Sequence, residues 1–126
     1  MSQKKIIEAF LFLTHLHQLQ QVFLNLIMNA IDAMRDCQVK RLVISTSQND
    51  SQFILIRVTD SGAGFDENEK DNLFKPFFTT KKEGMGMGLP VIKTIINAHC
   101  GDIWPENNQD GGASFFVKLP IYMKES

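Results

Sequence analysis

The sequence predicts a single α/β domain with helices laid on a largely antiparallel sheet, and three observations predict it. Between residues 18 and 35 apolar side chains recur with helical period. Residues 41–47 and 53–59 alternate with period two, are rich in β-branched types, and flank a polar loop, residues 48–52, as a hairpin would. A second helical run, residues 89–99, leads into two further strand-like runs, 102–106 and 113–119, joined by a turn at 107–112.

Composition narrows the function before any motif does. At 126 residues the chain supports one domain with one core. Its 13 basic and 14 acidic residues leave a net charge of -1, which gives no bulk electrostatic basis for binding nucleic acid. Cys37 and Cys100 lack CxxC spacing and the three histidines are scattered, which argues against a zinc site or a disulfide framework. No apolar run reaches the length of a membrane span. Lys4 and Lys5 before an apolar run resemble a signal peptide, but Glu8 interrupts the run and no small-residue cleavage site follows. The expectation is a soluble cytoplasmic domain without membrane contact.

In chain order, Ile6, Ile7, Phe10, Leu13 and Leu16 have helical spacing, and no Gly or Pro separates them from the next helix. In that helix Leu19, Val22, Phe23, Leu26, Ile27, Ala30, Ala33 and Met34 form one apolar stripe. The polar stripe reads Gln18, Gln21, Asn25, Asn29, Asp32, Asp36. Solvated helix faces favour Glu, Lys and Arg, whereas Asn and Asp are poor helix formers. Two asparagines at i and i+4 place two amide oxygens about a turn apart, and Mg²⁺ takes oxygen ligands while keeping several waters. A solvated face and a metal site both fit this stripe, the former more simply.

The run 53–58 delivers Asp60-Ser61-Gly62-Ala63-Gly64-Phe65, a carboxylate at a strand end followed by two glycines. Backbone without Cβ atoms turns sharply and approaches a flat ligand closely, while the carboxylate accepts from an amino group. A plain glycine-rich turn fits this hexapeptide equally well. Residues 66–74 suggest a short helix capped by Asp66, with Leu73 and Phe74 inward. The stretch 75–83 combines a proline, two aromatics, two hydroxyls and lysines, and suits neither a helix nor a buried strand. Gly84, Gly86 and Gly88 then alternate up to Leu89-Pro90, feeding backbone N–H groups to a helix start that favours phosphate. Pro90 suits the first turn. In the helix 89–99, Val91, Ile92, Ile95, Ile96 and Ala98 are expected inward, with Gly101 as the stop.

Taken together these stretches resemble the ATP-binding catalytic domain of sensor histidine kinases, in the Bergerat-fold superfamily that also holds gyrase, the large heat-shock chaperone and mismatch-repair ATPases. The resemblance covers about residues 18–120 and rests on four motifs in order. They are Asn25-Leu26-Ile27-Met28-Asn29-Ala30, then Asp60 to Gly64, then Leu73-Phe74-Lys75-Pro76-Phe77-Phe78-Thr79-Thr80-Lys81, then Gly84 to Leu89. It implies a two-layer α/β sandwich, a mostly antiparallel mixed sheet packed on helices. It also implies ATP and Mg²⁺ as cofactors, with Asn29 as the metal ligand and Asn25 beside it. Asp60 would bind the adenine amino group, with Gly62 and Gly64 shaping the pocket. Phe74 to Met87 would form a lid in which Thr79, Thr80 and Lys81 reach phosphate, while Gly84, Gly86, Gly88 and Leu89 bring backbone to the phosphates. Asn25, Asn29 and Lys81 are the implied catalytic residues.

Three positions depart from the family pattern: Lys75 replaces a common acidic residue, Met85 a hydroxyl, and Cys100 a glycine. The strand and helix that usually precede the asparagine helix have no counterpart in residues 1–17, so the resemblance implies a sandwich truncated there. The domain organisation expected is an unmatched helical segment, 1–17, followed by the ATP-binding domain, 18–126. That front segment is also the expected surface for a homodimer. His15, His17 and His99 are not followed by the acidic residue that marks a phosphoacceptor in the family. The resemblance therefore implies transfer of the γ-phosphoryl group to a histidine on a separate dimerisation module, with a response regulator downstream. Hydrolysing members carry a glutamate where this chain has Asn25, a poor base. A serine kinase, an ATPase or a nucleotide-sensing module on the same scaffold is the alternative.

Overall fold

The computed structural model describes residues 3–48, 52–76 and 88–121, with the side chains of residues 10–12 also outside the description. The first helix, α1, runs without interruption from Gln3–Ala33, so the front segment and the asparagine helix are one rod. A hairpin follows, β1 (Leu42–Ser47) and β2 (Phe53–Asp60), then a 3₁₀ helix at Glu67–Asn72. Helix α2 (Gly88–Ala98) precedes strands β3 (Asp102–Asn107) and β4 (Ala113–Pro120). The four strands lie in the order β1-β2-β4-β3, and every neighbouring pair is antiparallel. Bringing β4 between β2 and β3 makes the sheet non-sequential: Val58 pairs with Phe115 and Ile56 with Val117.

Both helices cover one face of this sheet. Val22 and Leu26 of α1 meet Ile92 and Ile96 of α2 over Ile56, Val58, Ile103, Phe115, Val117 and Leu119. Each such aliphatic side chain fully removed from water contributes roughly 1.5–3 kcal/mol. Along α1 and at the residue just past its end, Val22, Leu26, Ala30 and Met34 are buried, an i, i+4 row inside the expected stripe. The α2 stripe is narrower than its sequence suggests. Ile92 and Ile96 are buried and Ile95 is half-buried against the core, but Val91 and Ala98, expected inward, are exposed because they fall outside the face that α2 turns to the core. Leu24, Met28 and Ile31 of α1 are exposed although apolar.

The opposite face of the sheet carries no helix among the described residues and protects itself by stacking. Trp104 lies on Phe116 at 5.4 Å and 6°, and the Arg57 guanidinium sits 5.3 Å from the same Phe116 ring. Two further details adjust the sequence reading. The 66–74 segment is a 3₁₀ helix, Glu67–Asn72, with Asp66 as its cap accepting from the Asn68 amide at 2.9 Å. The left-handed residue ending α2 is Cys100, at φ 60°, and Gly101 follows it, donating to the Ile96 carbonyl at 2.9 Å. Ahead of the core, His15 of α1 meets His99 edge-to-face at 4.9 Å. The outer turns of α1 leave Ile6, Ile7, Leu13 and Leu16 exposed.

Candidate functional site

Asp60 ends β2 and is 3% exposed. Burying a carboxylate requires partners, and backbone supplies them here. Its Oδ1 accepts from the Gly62 amide at 2.8 Å and from the Ala113 amide at 3.3 Å. Its carbonyl oxygen accepts from Asn108 Nδ2 at 3.2 Å. Among the described residues, Oδ2 makes no hydrogen bond. Two amides thus fix the plane of the carboxylate through one oxygen and leave the other as an acceptor for a donor from outside, such as an exocyclic amine.

The loop after Asp60 is held close to its neighbours on both sides. A Cβ at Gly62 would stand 2.5 Å from the Ala33 carbonyl oxygen, so only glycine lets the loop lie against the end of α1. Gly64 has φ +75°, and a Cβ there would come 2.6 Å from Asn107 Oδ1. Just before both glycines, Ser61 ties the loop to the approach to β1: its hydroxyl accepts from the Arg41 amide at 2.8 Å, and its amide donates to the Arg41 carbonyl at 3.1 Å.

Two residues that the sequence marked only as turn formers complete this frame. Asn107 Oδ1 accepts from the Phe65 amide at 3.0 Å, and its Nδ2 donates to the Phe65 carbonyl at 2.8 Å and to Glu67 Oε1 at 2.9 Å. Asn108, besides reaching Asp60, accepts from the Ser114 hydroxyl at 2.6 Å. Asparagine is so common in turns that its identity carried no signal of a tertiary role.

Asn25 and Asn29 lie half-exposed on the polar side of α1. Asn29 is one turn before Ala33, whose carbonyl abuts Gly62, so the asparagine stripe leads away from the Asp60 loop along the helix. Phe74 is half-buried against the core, edge-on to Phe115 at 6.3 Å and 89°, with Lys93 Nζ 5.6 Å from its ring. Gly88 opens α2, and Leu89 packs against the core. Thr79, Thr80, Lys81, Gly84, Gly86 and Met87 lie outside the described residues. Among the described residues, no cluster of three or more His, Cys, Asp or Glu could hold a metal. A magnesium ion here would depend on an amide oxygen, phosphate oxygens and water, a donor set that Mg²⁺ accepts and that Asn29 fits. Nor is any helix among these residues long and apolar enough to cross a membrane.

A sequence model of the family described as "Histidine kinase-, DNA gyrase B-, and HSP90-like ATPase" matches residues 14–123. The chain is 45% identical over 103 residues to the sensor protein FixL of Bradyrhizobium diazoefficiens, covering 82% of this chain and 20% of that protein. It is 46% identical over 107 residues to the sensor histidine kinase TmoS of Ectopseudomonas mendocina, covering 82% of this chain and 11% of that protein. The chain therefore spans a fifth or less of these curated relatives. Among solved structures, the catalytic domain of histidine kinase ThkA superposes with a TM-score of 0.72 at 34% identity, covering 82% of this chain and 66% of that one. The mycobacterial sensor histidine kinase MprB gives a TM-score of 0.74 at 25% identity, covering 82% and 70%.

Proposed function

Because the chain belongs to the histidine kinase-, DNA gyrase B- and HSP90-like ATPase family, we propose that it is the ATP-binding catalytic domain of a two-component sensor histidine kinase. In this reading it transfers the γ-phosphoryl group of ATP to a histidine on a separate dimerisation and phosphoacceptor module, from which a response regulator is then served. The observation that carries the nucleotide part is the Asp60 carboxylate: buried, held through Oδ1 by two backbone amides, with Oδ2 left to accept from the adenine amine.

The remaining roles follow the motif order. Gly62 and Gly64 shape the base pocket by their close approach to α1 and to Asn107. Asn29 would hold Mg²⁺, which would supply charge stabilisation to the phosphates, and Asn25 lies one turn away. Gly88 and Leu89 open α2, and their amides would serve the phosphates there. Thr79, Thr80, Lys81, Gly84, Gly86 and Met87 serve the lid and the phosphates by resemblance alone. Phosphoryl transfer needs positioning and charge stabilisation more than covalent machinery, and Asn25 offers no strong base to activate water.

The test is radiolabelled ATP with the chain alone and then with a cognate histidine hairpin, followed by acid treatment. Acid-labile label on the hairpin, and none on the chain alone, is the expected result. Acid-stable label on an added protein would make this a serine kinase, and brisk phosphate release by the chain alone would make it an ATPase.

A further inference from the structure

We propose that Asn107 is a positioning residue for adenine recognition, acting through the backbone of Phe65 and, with Asn108, making the β3–β4 turn the part of the fold that aims Asp60. This inference rests on the adenine reading of Asp60 given above. Nothing in the four family-like motifs includes either asparagine.

Asn107 offers an acceptor and two N–H donors on one planar group. Oδ1 takes the Phe65 amide at 3.0 Å, and Nδ2 serves both the Phe65 carbonyl at 2.8 Å and Glu67 Oε1 at 2.9 Å. The pair of bonds to Phe65 reproduces what a neighbouring strand would give that residue, although Phe65 belongs to no strand. A serine hydroxyl has a single donor, so it could not serve both the Phe65 carbonyl and Glu67. An aspartate would set a carboxylate against the Phe65 carbonyl and Glu67. The fit is close, since Gly64 lies where a Cβ would come 2.6 Å from Asn107 Oδ1.

Asn108 holds the other end of the same loop through the Asp60 carbonyl at 3.2 Å, and is itself fixed by the Ser114 hydroxyl at 2.6 Å. The loop from Asp60 to Phe65 is therefore clamped at both ends by consecutive residues, the last of β3 and the first after it. Releasing the Phe65 end removes neither donor to Asp60 Oδ1, but it loosens the segment that carries Gly62, one of the two amides that orient the carboxylate. A hydrogen bond weakens steeply as its distance and angle leave the favoured range, so a misaimed acceptor loses much of its preference for the amine. Asn107 never needs to touch the nucleotide to have this effect.

The experiment titrates the chain and Asn107→Ala with ATP and with purine riboside triphosphate, which lacks the 6-amino group. The unaltered chain is expected to prefer ATP by about ten- to a hundredfold, the worth of one hydrogen bond to a charged acceptor. In Asn107→Ala that preference is expected to fall by about tenfold, with the affinity for the analogue little changed. A role confined to general stability would lower both affinities together or neither, and would overturn the inference. Should Asn107→Ala fail to fold, Asn107→Asp keeps the size and the acceptor but loses the donors, and carries the same expectation. Unaltered protein that binds both nucleotides equally would overturn the adenine reading and this inference with it. Unaltered protein and variants that all prefer ATP equally would overturn this inference alone.

Discussion

Replacing Asp60 with asparagine separates folding from recognition, because the two oxygens of its carboxylate have different tasks. The amide oxygen of Asp60→Asn can occupy the place of Oδ1 and keep the Gly62 and Ala113 amides satisfied. Those two bonds lose their charge assistance, but a neutral amide is cheaper to bury than a carboxylate, so the net change in stability is about 1 kcal/mol or less. The amide nitrogen then takes the place of Oδ2 and presents a donor to the adenine amine, itself a donor. Losing a charged acceptor costs about 1.5–3 kcal/mol, or roughly ten- to a hundredfold in affinity for ATP. Asp60→Ala is the control: it strands two amides beside a residue only 3% exposed and lowers stability by about 2–4 kcal/mol. Thermal melts of the nucleotide-free variants read the first quantity, and titration with a fluorescent ATP analogue reads the second. If Asp60→Asn binds ATP as the unaltered chain does, or destabilises it as much as Asp60→Ala, the division of labour between the oxygens is wrong.

Other perturbations test other levels of the structure. Cys100→Gly should raise stability by about 1 kcal/mol in a thermal melt, since φ 60° strains a residue with a Cβ. Leu26→Ala, at 1% exposure in the centre of the core, should cost about 2.7–5 kcal/mol in a denaturant titration. Asn29→Ala should abolish the Mg²⁺-dependent part of ATP binding while leaving the nucleotide-free melting temperature nearly unchanged, because Asn29 lies outside the buried row. Ile6 and Leu13, 53% and 60% exposed, should drive self-association through the front of α1. Ile6→Ser with Leu13→Ser should then shift sedimentation toward a monomer, and an unaltered chain that is already monomeric at high concentration would refute this.

How far the fold could be read depended on whether a signal was periodic or tertiary. The stripe through Val22, Leu26, Ala30 and Met34 and the alternation through Ile56 and Val58 are repeats, and repeats show in a single sequence. The position of β4 between β2 and β3 is a pairing choice that no local pattern encodes. The same contrast holds at the site. Asp60, Gly62 and Gly64 stand together in the chain and could be noticed together, whereas Asn107 reaches Phe65 from 42 residues away and resembles any turn asparagine. Helix α2 shows a smaller failure of the same kind. Val91 and Ala98 are apolar and nearly in phase, but only the packed structure reveals that they fall outside the face that α2 turns to the core. The exchange of left-handed residue from Gly101 to Cys100 went unread because glycine is the default for that conformation.

The bond from the Ala113 amide to Asp60 Oδ1 spans 53 residues of chain, and it makes the acceptor a product of assembly rather than of local structure. Until β4 enters the sheet in register, the strand β2 ends in a solvated carboxylate free to turn either oxygen toward water. On the adenine reading of Asp60, nucleotide would recognise only the chain whose β4 is already in place, and would have no foothold on a partly assembled one. Binding and folding are then linked without leakage into the unfolded ensemble. At a ligand concentration a hundred times the dissociation constant, such linkage adds about 2.7 kcal/mol to stability. The same arrangement places the long-range pairing of β2 with β4, an entropically slow step, ahead of any rescue by ligand.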